Sequence, residues 1–129
     1  MGILKSIFTW WEGATIGTAL WSRRNGREVG RDSLGNIYLE TKPGGRRVSR
    51  RWVIYNGPND ASRIPPEWFG WMHHQIDVPP TELPAPRAWQ KPPVPNLTGT
   101  PDAFRPKGAI EEGGRRAAAT GDYEAWTPN

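Results

Sequence analysis

The sequence has no cysteine, few aliphatic residues and no long apolar run. Without cysteine there are no disulfides, no thiolate nucleophiles and no cysteine ligands for zinc or iron–sulfur clusters. Hydrophobic residues make up only 36% of the 129 positions, which excludes a large buried core. No segment approaches the roughly 18–20 apolar residues of a membrane-spanning helix. The first residues also lack the features of a secretory signal or a transit peptide, so we expect a soluble protein of a reducing compartment.

Tryptophan, in contrast, is abundant, with eight residues in the chain. Tryptophan buries a large apolar area and is enriched at protein–protein interfaces. A chain with too few aliphatic residues for a large core, but with many tryptophans, is expected to complete its burial against a partner.

Positive charge is concentrated in the first half of the chain. Residues 1–66 carry 11 lysines and arginines against 5 acidic residues, whereas residues 67–129 carry 6 against 8. Eight of the nine basic residues between positions 23 and 51 are arginine, which favours bidentate contacts to carboxylate or phosphate. This segment, with Arg47 and Arg51 as candidate contacts, indicates an acidic protein surface, a nucleic acid or an anionic lipid as partner. The alternative is a solvated basic face without a partner.

The first residues have the apolar spacing of an amphipathic helix over residues 2–11. Its apolar stripe either docks on another protein or packs on the chain's own sheet. The candidate partner-binding residues of this segment are Ile7, Phe8, Trp10 and Trp11.

Residues 26–55 predict an antiparallel meander of three strands, at 27–32, 37–41 and 46–55, separated by turn-forming residues. Trp52 in the third strand is a candidate contact. Three strands bury little on their own and need a covering helix or a partner. Pro65 and Pro66 then begin a short helix through residue 74, because proline is favourable in the first helical turn. Its tryptophan-rich face, with Trp68 and Trp71, either forms a lid over the sheet or docks on a partner, and His73 lies at its end.

Residues 79–106 contain nine prolines, which predicts an extended arm close to polyproline II rather than a helix or sheet. Trp89, Phe104 and the terminal Trp126 are candidate anchors along this arm. The sequence therefore predicts an α+β fold, mostly irregular, with a small β-meander, short N-terminal and central helices and a long proline-rich C-terminal arm. The expected divisions are a docking helix and linker (1–25), the meander with the tryptophan-rich helix (26–78), and the arm and tail (79–129).

The sequence contains no recognisable catalytic motif. It has neither a phosphate-binding glycine-rich loop nor a G-x-S-x-G nucleophile elbow. His73 and His74 are adjacent, so their side chains point apart and form a poor metal chelate. We expect a protein that is not an enzyme and holds no cofactor or metal.

The order of several motifs resembles the alpha-subcomplex subunit 12 family of respiratory complex I (NADH:ubiquinone oxidoreductase). The most specific block is the P-P-E-W-x-x-W segment from Pro65 to Trp71. This block lies within a similar stretch from Asp60 to His74, and the other similar segments are Thr9–Trp11, Ala14–Thr18, Val29–Asp32, Gly35–Glu40, Arg51–Tyr55, Asp77, Pro79–Pro80, Asn96–Pro101 and Glu124–Trp126. The sequence departs from the family where Phe69 stands in place of the usual histidine and Leu39 in place of an aromatic residue, so no role of that histidine is carried over.

The resemblance implies a non-catalytic supernumerary subunit on the hydrophilic arm of complex I, near the membrane junction. Its partners would be the core iron–sulfur and quinone-binding subunits, with one copy per complex. It implies the cytoplasmic face of a bacterial inner membrane or the matrix face of the mitochondrial one. Two alternatives are a complex I assembly factor, because the family includes such a paralogue, and a basic β-module that binds RNA through Tyr38 and Trp52.

Overall fold

The computed structural model describes residue 7 and residues 13–44 and 49–128, and it confirms the predicted small α+β fold. Two helices, α1 (Ile16–Asn25) and α2 (Pro66–Met72), accompany an antiparallel sheet. The sheet has the order β1 (Gly26–Arg31), β2 (Ile37–Thr41), β3 (Arg51–Ile54). The chain divides into two compact units, Met1–Asn96 and Leu97–Asn129. Both helices and all three strands belong to the first.

Helix α1 lies in a segment that the sequence analysis treated as a linker. Thr15 caps its first turn, because its side-chain hydroxyl accepts a hydrogen bond from the backbone N–H of Thr18 at 3.2 Å. Only Ser22 of the helix is buried, so the apolar periodicity that identifies most surface helices is missing. The helix predicted over residues 2–11 lies outside the described residues, apart from the exposed Ile7.

The three strands form the predicted meander, with one irregularity in the first strand. Glu28 pairs with Leu39 and Gly30 with Tyr38, so β1 bulges at the residue between them. A β-carbon on Gly30 would lie 2.9 Å from the Trp68 ring. Glycine therefore lets the indole approach the strand closely. The third strand begins at Arg51, while residues 45–48, which the prediction included in part, are outside the described residues.

The core is small and aromatic. Tyr38 of β2 stacks on Trp68 of α2 with ring centroids 4.0 Å apart and planes within 5° of parallel. Trp71 meets both rings edge-on, at centroid distances of 6.5 and 5.5 Å respectively. Stacked and edge-to-face pairs are the favourable arrangements of aromatic rings. The three aromatic rings therefore provide much of the buried apolar area, because the chain has few aliphatic residues.

The predicted absence of α-helix and sheet from the arm is confirmed. Between residues 79 and 128 the described chain has two short 3-10 helices, Pro80–Glu82 and Ile110–Glu112, and otherwise turns and irregular backbone. In the second unit an ion pair between Arg116 and Asp122 closes one turn of the tail. Among the residues that the structure describes, no helix has both the length and the apolar character needed to cross a bilayer.

Candidate partner-binding surface

The two tryptophans of α2 lie inside the first unit. Trp68 is 4% exposed and Trp71 is 1% exposed, and both pack against the sheet. The sequence left two interpretations open for this tryptophan-rich face, a lid over the sheet or a docking face for a partner. In the structure, the face covers the sheet. Phe69, between the two tryptophans, points outward with 45% exposure and lies 4.2 Å (ring centroids) from the exposed His73. The exposed residues of α2 are Pro66, Glu67 and Phe69, and the exposed His73 caps the end of the helix.

Arg51, a candidate contact from the sequence, is directed inward. Its side chain is 7% exposed, and its guanidinium carbon lies 4.6 Å from the centre of the Trp71 ring, a cation–π geometry. The guanidinium donates to the backbone carbonyls of Trp71 (2.7 Å), Ile76 (3.1 Å) and Asp77 (3.4 Å). The Trp71 carbonyl belongs to the last turn of α2, where the helix dipole favours a cation, and the other two carbonyls follow the helix. Arg51 thus fastens the end of α2 to the third strand.

Glu40 balances the charge of Arg51 from the neighbouring strand. One carboxylate oxygen accepts hydrogen bonds from the Ser49 hydroxyl at 2.6 Å and from Arg51 Nε at 3.3 Å, while the other accepts from Arg27 at 3.3 Å. The Ser49 hydrogen bond, followed by those of the two arginines, lowers the pKa of Glu40 against the opposing effect of burial. The carboxylate is therefore held ionised, and it neutralises the buried guanidinium.

A second polar network fixes the turn between the first two strands. Asp32 accepts hydrogen bonds from the backbone N–H groups of Leu34 and Asn36, from the Asn36 amide at 2.8 Å and from the Tyr38 hydroxyl at 2.8 Å. Asn36 is fully buried, and its amide also donates to the Arg63 carbonyl at 3.1 Å. Burial, followed by the Asp32 carboxylate, raises the pKa of Tyr38 far above its ordinary value. Because Tyr38 is also fully buried, its ring cannot serve as a stacking platform for RNA.

Trp52 lies at the junction between the sheet and α1. Its indole N–H donates to the Ser22 hydroxyl at 3.0 Å, and its ring meets the Trp21 ring at a centroid distance of 5.1 Å. Trp21 keeps 47% of its surface exposed. The pair therefore joins α1 to the sheet and leaves one indole partly open to a partner.

The two prolines at the start of α2 have different environments. Pro65 is buried, whereas Pro66 at the first helical position is exposed. Pro65 also lines a groove of about 540 Å³ beside Trp68, whose other wall is the first part of the arm, including Leu83 and Pro86. The arm's first residues thus lie along the helix and the turn after β1.

The most exposed large apolar side chains of the described residues lie on the arm. Trp89 is 72% exposed, Phe104 90% and Trp126 81%, and all three are candidate contacts from the sequence. Sequence reasoning missed Leu20, Trp21 and Ile110, although residue type alone would have marked Trp21 as a candidate. The candidate contacts Phe8, Trp10, Trp11 and Arg47 lie outside the described residues, and Ile7 is 55% exposed.

The described residues carry surface features that suit binding to another protein. Within residues 13–44 and 49–128, no three histidine, aspartate or glutamate side chains come together in a group that could hold a metal ion. The buried polar groups just described are engaged in holding the turn and helix α2. The exposed aromatic side chains, in contrast, have the residue types and the exposure of protein-interface anchors.

Comparison with known proteins identifies the family. The family model of the NADH ubiquinone oxidoreductase subunit NDUFA12 matches residues 26–128. The chain is similar to NADH dehydrogenase [ubiquinone] 1 alpha subcomplex subunit 12 of Dictyostelium discoideum, with 41% identity over 63% of this chain and 60% of the relative. It is also similar to the protein of that name from Bos taurus, with 42% identity over 64% of each chain. A probable subunit 12 of Arabidopsis thaliana is 33% identical over 78% of this chain and 65% of the relative.

The matched region spans less than two thirds of the length of each of these relatives. The family model nevertheless covers the whole sheet, helix α2 and the arm, about four fifths of the chain. It includes the P-P-E-W-x-x-W block, whose two tryptophans form the core with Tyr38. The resemblance inferred from the sequence is therefore confirmed, and this chain belongs to the family of the NADH ubiquinone oxidoreductase subunit NDUFA12.

Proposed function

We propose that this protein is a non-catalytic accessory subunit of respiratory complex I. The observation that carries the proposal is the family match over residues 26–128. The relatives named above are subunits of NADH dehydrogenase, and a subunit of the same complex is the simplest role for this chain. Its location would be the hydrophilic arm near the membrane junction, on the cytoplasmic face of a bacterial inner membrane or the matrix face of the mitochondrial one.

Its role there is to hold core subunits together, either in the finished complex or during assembly. The partners would be the iron–sulfur and quinone-binding subunits, with one copy of this chain in each complex and no nucleic acid. The proposed role is based on the arm, in which the side chains of Trp89, Phe104 and Trp126 are largely exposed. Prolines restrict the unbound arm, so that less conformational entropy is lost when it is ordered on a partner. The arm is thus suited to bind along a surface and contact more than one subunit.

A purification experiment tests this role. A tagged full-length chain is expressed in its own organism, membranes are solubilised gently, and the recovered proteins are identified by mass spectrometry. Recovery with NADH-oxidising complex I in equal amounts is the expected result. Recovery with partial subcomplexes only would favour an assembly factor. Recovery with RNA or ribosomes would contradict both assignments.

A matched pair of variants tests the arm. The triple variant Trp89→Ala, Phe104→Ala, Trp126→Ala removes exposed rings and leaves the core intact. Because truncation of an aromatic anchor at an interface costs about 2 kcal/mol or more, we expect a strong loss of complex I recovery. The control is Lys91→Ala, Lys107→Ala, Glu124→Ala, which alters exposed residues two or three positions from each ring. Equal recovery with both variants would contradict an arm anchored by its aromatic residues.

A further inference from the structure

A cluster of positive charge lies where helix α1 meets the sheet, and we call it the basic corner. It consists of Arg23, Arg24, Lys42 and Arg50, all of them exposed. The Lys42 ammonium donates to the backbone carbonyls of Arg23 at 3.1 Å and Arg24 at 2.9 Å. Arg50 pairs through its backbone with Thr41, the residue before Lys42. The fold therefore gathers four cations from three separate segments.

The charges of the basic corner are not neutralised within the described part of the chain. None of its four side chains forms an ion pair with a described residue, whereas Arg27, Arg31 and Arg51 each have a carboxylate partner. The carbonyls at the end of α1 would normally repel an anion. Lys42 covers two of them, which removes part of this repulsion. The corner is thus a positive surface without a carboxylate partner among the described residues.

Apolar side chains lie directly beside this charge. Leu20 is 63% exposed and Trp21 47% exposed, and they precede Arg23 and Arg24 on the same helix. Ser22 is the buried residue of α1, so Leu20 and Arg24, each two positions away from it, point to the opposite side of the helix. Contact of the Trp21 ring with Trp52 holds it in place. Lysine and arginine are attracted to anionic headgroups, and tryptophan is enriched where proteins contact the membrane interface.

We propose that the basic corner, together with Leu20 and Trp21, binds the surface of an anionic phospholipid bilayer. A bilayer supplies both features that the surface requires, because it carries negative headgroups above an apolar layer. An acidic protein surface is the other occupant to test, and the variants below distinguish it from the bilayer. The proposal rests on the proposed function, since a subunit near the membrane junction can reach the bilayer, and it adds a direct lipid contact to that role.

Vesicle binding tests the proposal with the purified full-length chain. The two preparations are phosphatidylcholine vesicles and phosphatidylcholine vesicles that contain a fixed fraction of phosphatidylglycerol. We expect binding to the anionic vesicles only, and we expect it to weaken as salt is added. Equal binding to both preparations, or no binding to either, would overturn the proposal.

A matched pair of charge variants locates the contact. Each basic residue near an anionic membrane surface strengthens binding by about fivefold. The variant Arg23→Gln, Arg24→Gln, Arg50→Gln should therefore lower the partition coefficient by about 100-fold. Because these side chains are exposed and unpaired within the described chain, the thermal unfolding midpoint should not change. The control Arg87→Gln, Lys91→Gln, Lys107→Gln removes equal charge elsewhere, and similar losses in both variants would overturn the assignment to the basic corner.

A second readout separates this proposal from the subunit role. After detergent extraction, the basic-corner variant should still be recovered with complex I, because detergent has already replaced the lipid. A variant that loses complex I but retains vesicle binding would overturn the lipid contact and identify an acidic protein partner. If the unaltered chain does not recover complex I, the proposed function fails, and the vesicle measurement still decides on the lipid contact.

Discussion

Replacing Trp68 by alanine separates a core role from a docking role for helix α2. The Trp68 side chain is 4% exposed, lies 4.0 Å from the Tyr38 ring and meets Trp71 edge-on at 5.5 Å. Truncation of a buried tryptophan costs about 3–5 kcal/mol. The lost ring pairs add to the burial term, so we expect the free energy of unfolding to fall by about 4 kcal/mol. This is a large fraction of the stability of a small domain, which is about 5–15 kcal/mol.

Phe69 provides the matched control, because it is also an aromatic residue of α2 but is 45% exposed. The Phe69→Ala substitution should lower the free energy of unfolding by less than about 1 kcal/mol, since half of the ring is already solvated. The assay is urea denaturation of the full-length chain, followed by far-ultraviolet circular dichroism. A Trp68→Ala protein within about 1 kcal/mol of the unaltered protein would refute the core role. A loss of partner binding without loss of stability would restore the docking interpretation.

Three further substitutions test individual contacts. The Arg51→Met variant leaves three carbonyls without their donor and should lose about 3 kcal/mol in urea denaturation, and a loss below about 1 kcal/mol would contradict the fastening role. The pKa of Tyr38 is raised in the folded protein above its ordinary value of 10.0. Above pH 10 the unfolded chain therefore loses the Tyr38 proton more readily than the folded protein does, and the free energy of unfolding falls as the pH rises. The unfolding midpoint should therefore fall above about pH 10, and less steeply in Tyr38→Phe; identical alkaline curves would contradict this. The Gly30→Ala variant should melt at a lower temperature, because its β-carbon would meet the Trp68 ring, whereas Gly121→Ala, with open space around it, should melt like the unaltered protein.

The sheet and the arm could be predicted because short stretches of sequence indicate them. Turn residues separate the strands, and nine prolines spread over residues 79–106 exclude a helix or a sheet. Helix α1 could not be predicted in this way, because Leu20 and Trp21 point outward and only Ser22 is buried. Hydrophobic periodicity identifies a helix by its buried stripe, and α1 has none.

The direction of Arg51 was also beyond sequence reasoning. It lies in a run of arginines that is typical of a solvated surface, and nothing local distinguishes it from Arg50. Its burial depends on carbonyls at positions 71, 76 and 77, which are distant in sequence and converge only when α2 packs on the sheet. A buried charge needs several such partners at once, and their geometry is a property of the whole fold.

Burial divides the tryptophans into groups with different roles. Trp68 and Trp71 replace the missing aliphatic core, Trp52 and Trp21 join α1 to the sheet, and Trp89 and Trp126 remain largely exposed on the arm. The first group sets the stability of the sheet, so its substitution cannot report on partner contacts. The arm residues bury little within the chain, so under the proposed function their substitution should change binding while the core keeps its contacts. In the proposed accessory subunit, a small core serves the chain's own folding and the exposed aromatic side chains of the arm serve partner binding, and the two can be varied independently.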